Sequence, residues 1–387
     1  MQARVLVTWC LSTLFVTALV AACSRPRAQA PGTWSPKAAA AYLDRRAAWW
    51  MGWQRAARDH GTFCVSCHTA LPYALSRAAL REALADDASS DDNERRLLDN
   101  VTKRVRLWKE VGPYYSDQAD KADESRGTEA VLNGLILANH DAQIGRLSED
   151  TRTALDNMWA LQQTTGDQAG AWSWLRFGLS PWEGGDSQYY GAALAALAVG
   201  TAPDRYRATV AIQDHLELLR AYLDREYSRQ PLSNRVVLLW ASTKLPGLLG
   251  HELQKSLVDE IVGAQQRDGG WSLSALAGSS RTSNVRSSVR SWIRSERTLV
   301  TASSDGYATG LVVFALLKAR TPRENVHLQK GLAWLTRNQN QAEGFWPADS
   351  LNLRRDPSSD IGRFMSDAAT GYAVLALTEA EVSTQVR

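Results

Sequence analysis

Cys64-Val65-Ser66-Cys67-His68 brings two thiols and an imidazole together in one short run. Thiols at this spacing can add to the two vinyl groups of a porphyrin, and a histidine directly after the second is placed to ligate the iron. The pattern predicts attachment of haem c, with Cys64 and Cys67 as thioether donors and His68 as an axial ligand. The same side chains admit three other uses: a zinc site completed by the nearby His60, a redox disulfide between Cys64 and Cys67, or a structural disulfide. With 4 Cys in the chain, a disulfide-dense scaffold is excluded.

These side chains need a frame, and the sequence writes that frame as a repeat. Gln163 to Gly170-Ala171-Trp172, Gln265-Gln266-Arg267-Asp268-Gly269-Gly270-Trp271 and Gln339 to Gly344-Phe345-Trp346 are one phrase in three places. Each phrase ends an amphipathic pattern, such as Leu257, Ile261 and Ala264, and glycine stops it. After each phrase an acidic residue and a glycine open an almost wholly apolar run: Asp186 to Gly191-Ala192-Ala193-Leu194, Asp305-Gly306-Tyr307-Ala308, and Asp367-Ala368-Ala369-Thr370-Gly371. A helix apolar all round must be buried on all sides, whereas an amphipathic one faces water. The patterns predict outer helices near 38–58, 92–110, 148–164, 206–227, 251–267 and 324–339. Inner helices are expected between them, near 69–85, 127–140, 187–199, 232–243, 306–319 and 367–379, and strand signals are weak throughout. Six such pairs closed into a ring leave no inner face exposed, which is an all-α, double-walled α/α toroid.

The phrase Lys330-Gly331, Trp334-Leu335, Gln339, Gly344 and Trp346 resembles the Gln-Trp motif of squalene-hopene cyclases and their relatives, and the likeness covers most of residues 120–380. The resemblance implies the α/α toroid shared by terpenoid cyclases and protein prenyltransferases, and an interior that accepts something apolar. It does not imply an activity, because function lives in sites grafted on folds. Two departures matter. The Asp-x-Asp-Asp acid of the hopene cyclases is missing, with Asp91-Asp92 reading as a solvated helix start, and the distal half has no cysteine for a prenyltransferase zinc site.

In a closed ring the first and last inner helices are neighbours, and all inner helices run the same way. His68 opens the first and Met365 stands just before the last, so both belong to one mouth of the barrel. Met365 is therefore the expected distal ligand to the iron, packing among the residues around Phe364 is its alternative role, and His60 is the next candidate ligand. Met158, beside Trp159, reads as core, while His140, His215, His251 and His327 read as surface or capping residues. The same topology expects Arg126, Glu129, Asp186, Tyr189, Tyr190, Asn234, Arg235, Asp305, Tyr307 and Asp367 to line that mouth. Asp186, Asp305 and Asp367 are candidate catalytic acids there, and each is also a natural N-cap that would stabilise a helix start without chemistry.

A Ser/Arg-rich insertion over 272–304 carries Arg281, Arg286, Arg290, Arg294 and Arg297 around Trp292, as a lid or a docking loop. Shorter insertions, Trp172 to Glu183 and Ser350 to Pro357, belong to the same rim. At the start, Arg4 precedes an apolar run from Val5 to Val20, and Val20-Ala21-Ala22-Cys23 resembles the lipobox of bacterial lipoproteins. On that reading residues 1–22 are a signal peptide, Cys23 the acylated residue, 23–36 a tether and 37–382 a single toroid domain; an uncleaved membrane anchor or a plain signal peptide cut nearby are the alternatives.

A near-neutral formal charge of +3 argues against nucleic acid as a partner. Aromatic usage is lopsided, with 15 Trp against 6 Phe, which directs attention to where the tryptophans sit. The expectation is an exported, lipid-anchored c-type haem protein at the periplasmic face of a bacterial membrane, which either transfers electrons or does haem-dependent redox chemistry on a ligand held at the barrel mouth. It would meet a periplasmic redox partner or an apolar small molecule. A haem-free cyclase-like enzyme, with Asp305 as its acid, and a non-catalytic ligand-binding or sensor toroid are the alternatives.

Overall fold

The computed structural model describes residues 33–84, 91–278 and 303–385. The expected signal, Cys23 and residues 279–302 of the insertion lie outside the described residues. Helix pairs follow one another along the chain: α1 (Pro36–Gly52) and α2 (Ala70–Leu84), α3 (Asp91–Arg106) and α4 (Ala119–Ile144), α5 (Glu149–Ala160) and α6 (Ser187–Thr201). Then come α7 (Gln213–Glu226) and α8 (Leu232–Ser242), and α9 (His251–Gly263), followed by the short α10 (Leu273–Ala277) and by α11 (Gly306–Lys318). The last pair is α12 (Val326–Arg337) and α13 (Phe364–Gln385). Helices α2, α4, α6, α8, α11 and α13 touch in that order, and α13 returns to α2, so the inner wall closes. The chain is an α/α toroid, as its patterning predicts.

Burial follows the two kinds of pattern. On the outer helix α7 only the stripe Leu216, Leu219, Tyr222 and Leu223 is buried, at i, i+3, i+6 and i+7. On the inner helix α11 every residue from Gly306 to Leu316 is buried. Gly310 permits this density, because a Cβ there would stand 2.6 Å from the backbone nitrogen of Ala373 on α13.

The repeated phrase is the stitch between outer helices. Gln339 donates through Nε2 to the carbonyls of Gly344 at 2.9 Å and Ser35 at 3.1 Å, and accepts from the Ser35 amide at 2.6 Å. Ser35 caps α1, so this glutamine fastens the last repeat to the first helix and closes the outer wall. Gln265 does the same between its own loop and the start of α12, through His327. In the first repeat the stitching residue is Gln162, bonded to Gly170 and His215, and not Gln163. His215 and His327 thus serve the stitches. Trp172, Trp271 and Trp346 send their indole N–H groups to carbonyls of Met158, Ile261 and Leu335 in the preceding outer helices.

Two boundaries differ from expectation. The domain begins before residue 37: Trp34 is buried, packs on Trp346 with centroids 6.1 Å apart and donates to Glu381 at 2.9 Å. Helix α4 starts at Ala119 rather than 127, because Lys121 bridges Glu124 and the Arg176 carbonyl and ties the extra turns to the rim loop.

Candidate functional site

The cysteine segment is held by a hairpin that the sequence pattern did not show. Strands β1 (Ala57–Arg58) and β2 (Thr62–Phe63) pair antiparallel, and the Cys64 amide continues the ladder to the Ala56 carbonyl at 2.8 Å. Asn100 of α3 clamps both backbone groups of Phe63, at 2.8 and 3.1 Å. Arg104, also on α3, donates to Thr62 Oγ1 at 2.7 Å and to the Gly112 carbonyl at 2.7 Å, and pairs with Glu129 of α4 at 2.5 Å with both side chains fully buried. Trp50 Nε1 donates to the Cys64 carbonyl at 2.7 Å. Ser66 Oγ accepts from the amides of Thr69 and Ala70 at 3.2 and 3.1 Å, an N-cap that starts α2 just after His68.

His68 is enclosed in an aromatic box. Phe364 stacks on its ring at 3.8 Å, Trp50 meets it edge-on at 4.9 Å and Trp182 lies 6.1 Å away. Burial first, then the charges of Arg355 and Arg46, push its pKa down to about 3, so the imidazole is neutral. Its Nδ1 lies 2.8 Å from Thr69 Oγ1, and that hydroxyl donates to Asp367 Oδ2 at 2.7 Å. Asp367 also accepts from Arg46 Nε at 2.7 Å and from Tyr42 at 2.8 Å. Burial raises the Asp367 carboxyl, and Arg46, Thr69 and Tyr42 pull it back toward the ionised form. Because the Thr69 proton goes to Asp367, Thr69 can only accept from His68, which assigns the proton to Nδ1 and leaves the Nε2 lone pair for a ligand.

Beside this ring lies a cavity of about 350 Å³, in the size range of small-molecule sites. Cys67, His68 and Met365 line it with Trp50, Trp53, Tyr115, Phe177, Trp182 and Phe364; Glu183, Asn352 and Arg355 are among its polar groups. Met365, in the first turn of α13, therefore opens onto the same space as His68, as the ring topology requires. The rim insertions supply Phe177 to Glu183 and Ser350 to Arg355 to this cavity, which places them at the site. Cys64 is buried but does not line it.

Neither thiol is set up as a thiolate. Burial pushes Cys64 up to about 12 and Cys67 well above its ordinary value, and both are free. Among the described residues no three His, Cys, Asp or Glu side chains gather around a metal position. His60 is exposed, in a left-handed conformation at φ 52, and stands outside the cavity. The zinc arrangement with His60 is therefore not assembled. A histidine with a free Nε2, a thiol and a methionine do open onto one aromatic-walled cavity, which Arg355 also lines.

The acidic residues expected at the mouth do stand where inner helices begin, but they do not open onto this cavity. Asp305 is an N-cap, accepting from Ala308 at 2.8 Å and Leu273 at 2.6 Å. Asp186 stands at the N-cap of α6 but its side chain makes no capping bond. Asp367 lies in the first turn of α13 and braces Thr69 and Arg46. Glu129 is taken by Arg104 and Arg235 by Glu260. None of these lines the cavity. The reason is in the barrel axis, which side chains fill: Tyr307 and Tyr372 meet edge-on at 5.4 Å, Tyr372 reaches Trp240 across the ring at 6.3 Å, and the Trp182 N–H is bonded to the Tyr307 hydroxyl at 3.1 Å. The hollow interior implied by the cyclase likeness is filled at this level of the barrel, and the His68 cavity sits above it under the rim loops.

No family model matches the chain, and no curated protein matches it. Among solved structures, it is similar to "UGL_D88N/dGlcA-Glc-Rha-Glc" at 11% identity and a TM-score of 0.49, covering 90% of this chain and 96% of that one. A structure whose title names a glycosidase matches at 12% identity, TM-score 0.45, over 88% and 98% of the two chains. "Glycosyl hydrolase family 88 from Bacteroides vulgatus" matches at 11%, TM-score 0.35, over 91% and 92%. Values this low bear on no activity.

Proposed function

We propose that the chain is an exported, lipid-anchored c-type haem protein that carries electrons at the periplasmic face of a bacterial membrane. The observation that supports this reading is the joint exposure of Cys67, His68 and Met365 to one aromatic cavity, with His68 held so that Nε2 carries the lone pair. Cys64 and Cys67 would hold the macrocycle as thioethers, and His68 and Met365 would be the residues that ligate the iron. When bound, the group supplies a reversible one-electron iron couple.

The chain's own residues do the rest. Phe364 and Trp50 fix the plane of His68, and the buried relay through Thr69 to Asp367 holds its proton at Nδ1. The aromatic walls exclude water, and Arg355 faces any carboxylate at the rim. A haem-free cyclase is disfavoured, because Asp305, its candidate acid, is spent on backbone amides.

The test is a pyridine haemochrome spectrum and a denaturing-gel haem stain on protein matured with a cytochrome c assembly system, comparing wild type with Cys64→Ala/Cys67→Ala. Covalent haem in the wild type and none in the double variant is the expected result. A colourless wild type overturns the proposal and leaves the cavity as a receptor for a small ligand.

A further inference from the structure

Because the inner helices all run the same way, the two mouths of the toroid are unlike. His68 and its cavity belong to the mouth made by helix N-termini. Toward the opposite mouth, the C-terminal halves of all six inner helices surround a second cavity of about 160 Å³ on the barrel axis. Leu135, Leu197, Trp240, Phe314 and Leu375 give it apolar walls. The charged residues facing it are Lys244, Lys318 and Glu379.

These charges do not cancel. Lys318 is bonded to Glu379 at 2.9 Å, whereas the half-buried Lys244 ammonium has no hydrogen-bonded acceptor among the described residues. Burial and the like charge of Lys318 lower the Lys244 pKa, and the carboxylate of Glu379 only partly offsets them, so holding the ammonium there is costly. Helix C-termini attract a lysine to this rim, but they give no reason for an open apolar cavity beneath it. An anion with an apolar body satisfies both features at once.

We propose that the far mouth binds a small amphiphilic anion, a monocarboxylate with a short apolar tail. The carboxylate pairs with Lys244, and the tail lies between Leu135, Leu197 and Phe314. The small volume excludes a long acyl chain. The site is separate from the His68 cavity and does not depend on haem.

Calorimetric titration of the full chain with hexanoate tests this. The expected result is one saturable site that hexan-1-ol and hexylamine do not fill. Lys244→Gln should weaken binding by at least about tenfold, and Leu135→Trp, which fills the cavity, should abolish it. Glu379→Gln should tighten binding, because it releases Lys318. Circular dichroism melts establish that each variant is folded. No saturable hexanoate binding, equal binding of hexan-1-ol, or an unchanged affinity in folded Lys244→Gln would each overturn the proposal.

Discussion

The imidazole of His68 is joined to the Asp367 carboxylate, 299 positions further along the chain, by the single hydroxyl of Thr69, at 2.8 and 2.7 Å. Such outer partners orient a metal-binding histidine and raise its basicity. If haem is bound as proposed, the relay should favour the ferric state. Thr69→Val and Asp367→Asn should each raise the midpoint potential, on the order of 60 mV for a tenfold change in the one-electron equilibrium. The double variant should go little further than either single one, and Thr69→Ser should restore the wild-type value. Equal potentials in the wild type and all of these variants, with haem attached, would exclude the relay.

Met365 opens onto the same cavity as His68 from the neighbouring inner helix. If haem is bound as proposed, Met365→Ala should convert a low-spin absorption spectrum into a high-spin one while the gel haem stain stays positive. An unchanged reduced spectrum would make Met365 a packing residue of the Phe364 cluster.

Gly344 sits at φ 90, and a Cβ on it would lie 2.1 Å from the Ala38 carbonyl of α1. It borders the stitch that closes the outer wall, so Gly344→Ala should cost about 3 kcal/mol or more in urea unfolding. Gln339→Ala removes hydrogen bonds without steric conflict, and should cost less, about 1 to 2 kcal/mol.

Burial raises Asp305 to about 6, against the pull of the amides it caps. The folded chain therefore holds this proton more tightly than the unfolded one, whose carboxyl keeps the ordinary value. Its contribution is fully present below about pH 4 and is lost as pH rises through about 6, a decline of roughly 3 kcal/mol for two units. Asp305→Asn keeps a capping side chain and should remove that slope from the unfolding free energy measured between pH 4 and 7. A slope that survives the substitution would assign it to other groups.

Local pattern is enough to read the toroid and the cysteine motif. Period-3.6 apolar patterns, wholly apolar runs such as Gly306 to Leu316, and glycine-stopped phrases alternate strictly enough to imply a closed double wall. Ring closure then puts Met365 and His68 at one mouth from chain order alone. The register of the first stitch is hidden, because Gln162 and Gln163 are chemically identical neighbours, and the bond to His215 is what separates them. The surroundings of His68 are a product of three-dimensional packing. Thr69, Arg46 and Trp50 carry no pattern of their own, and they act because the ring brings α1, α2 and α13 side by side. The acids at the helix starts are legible as residues but not in their roles, since a carboxylate opening a buried helix can cap it, as Asp305 does, or brace a distant side chain, as Asp367 does. That choice is made by which donors the fold carries into reach, and no spacing along the chain encodes it.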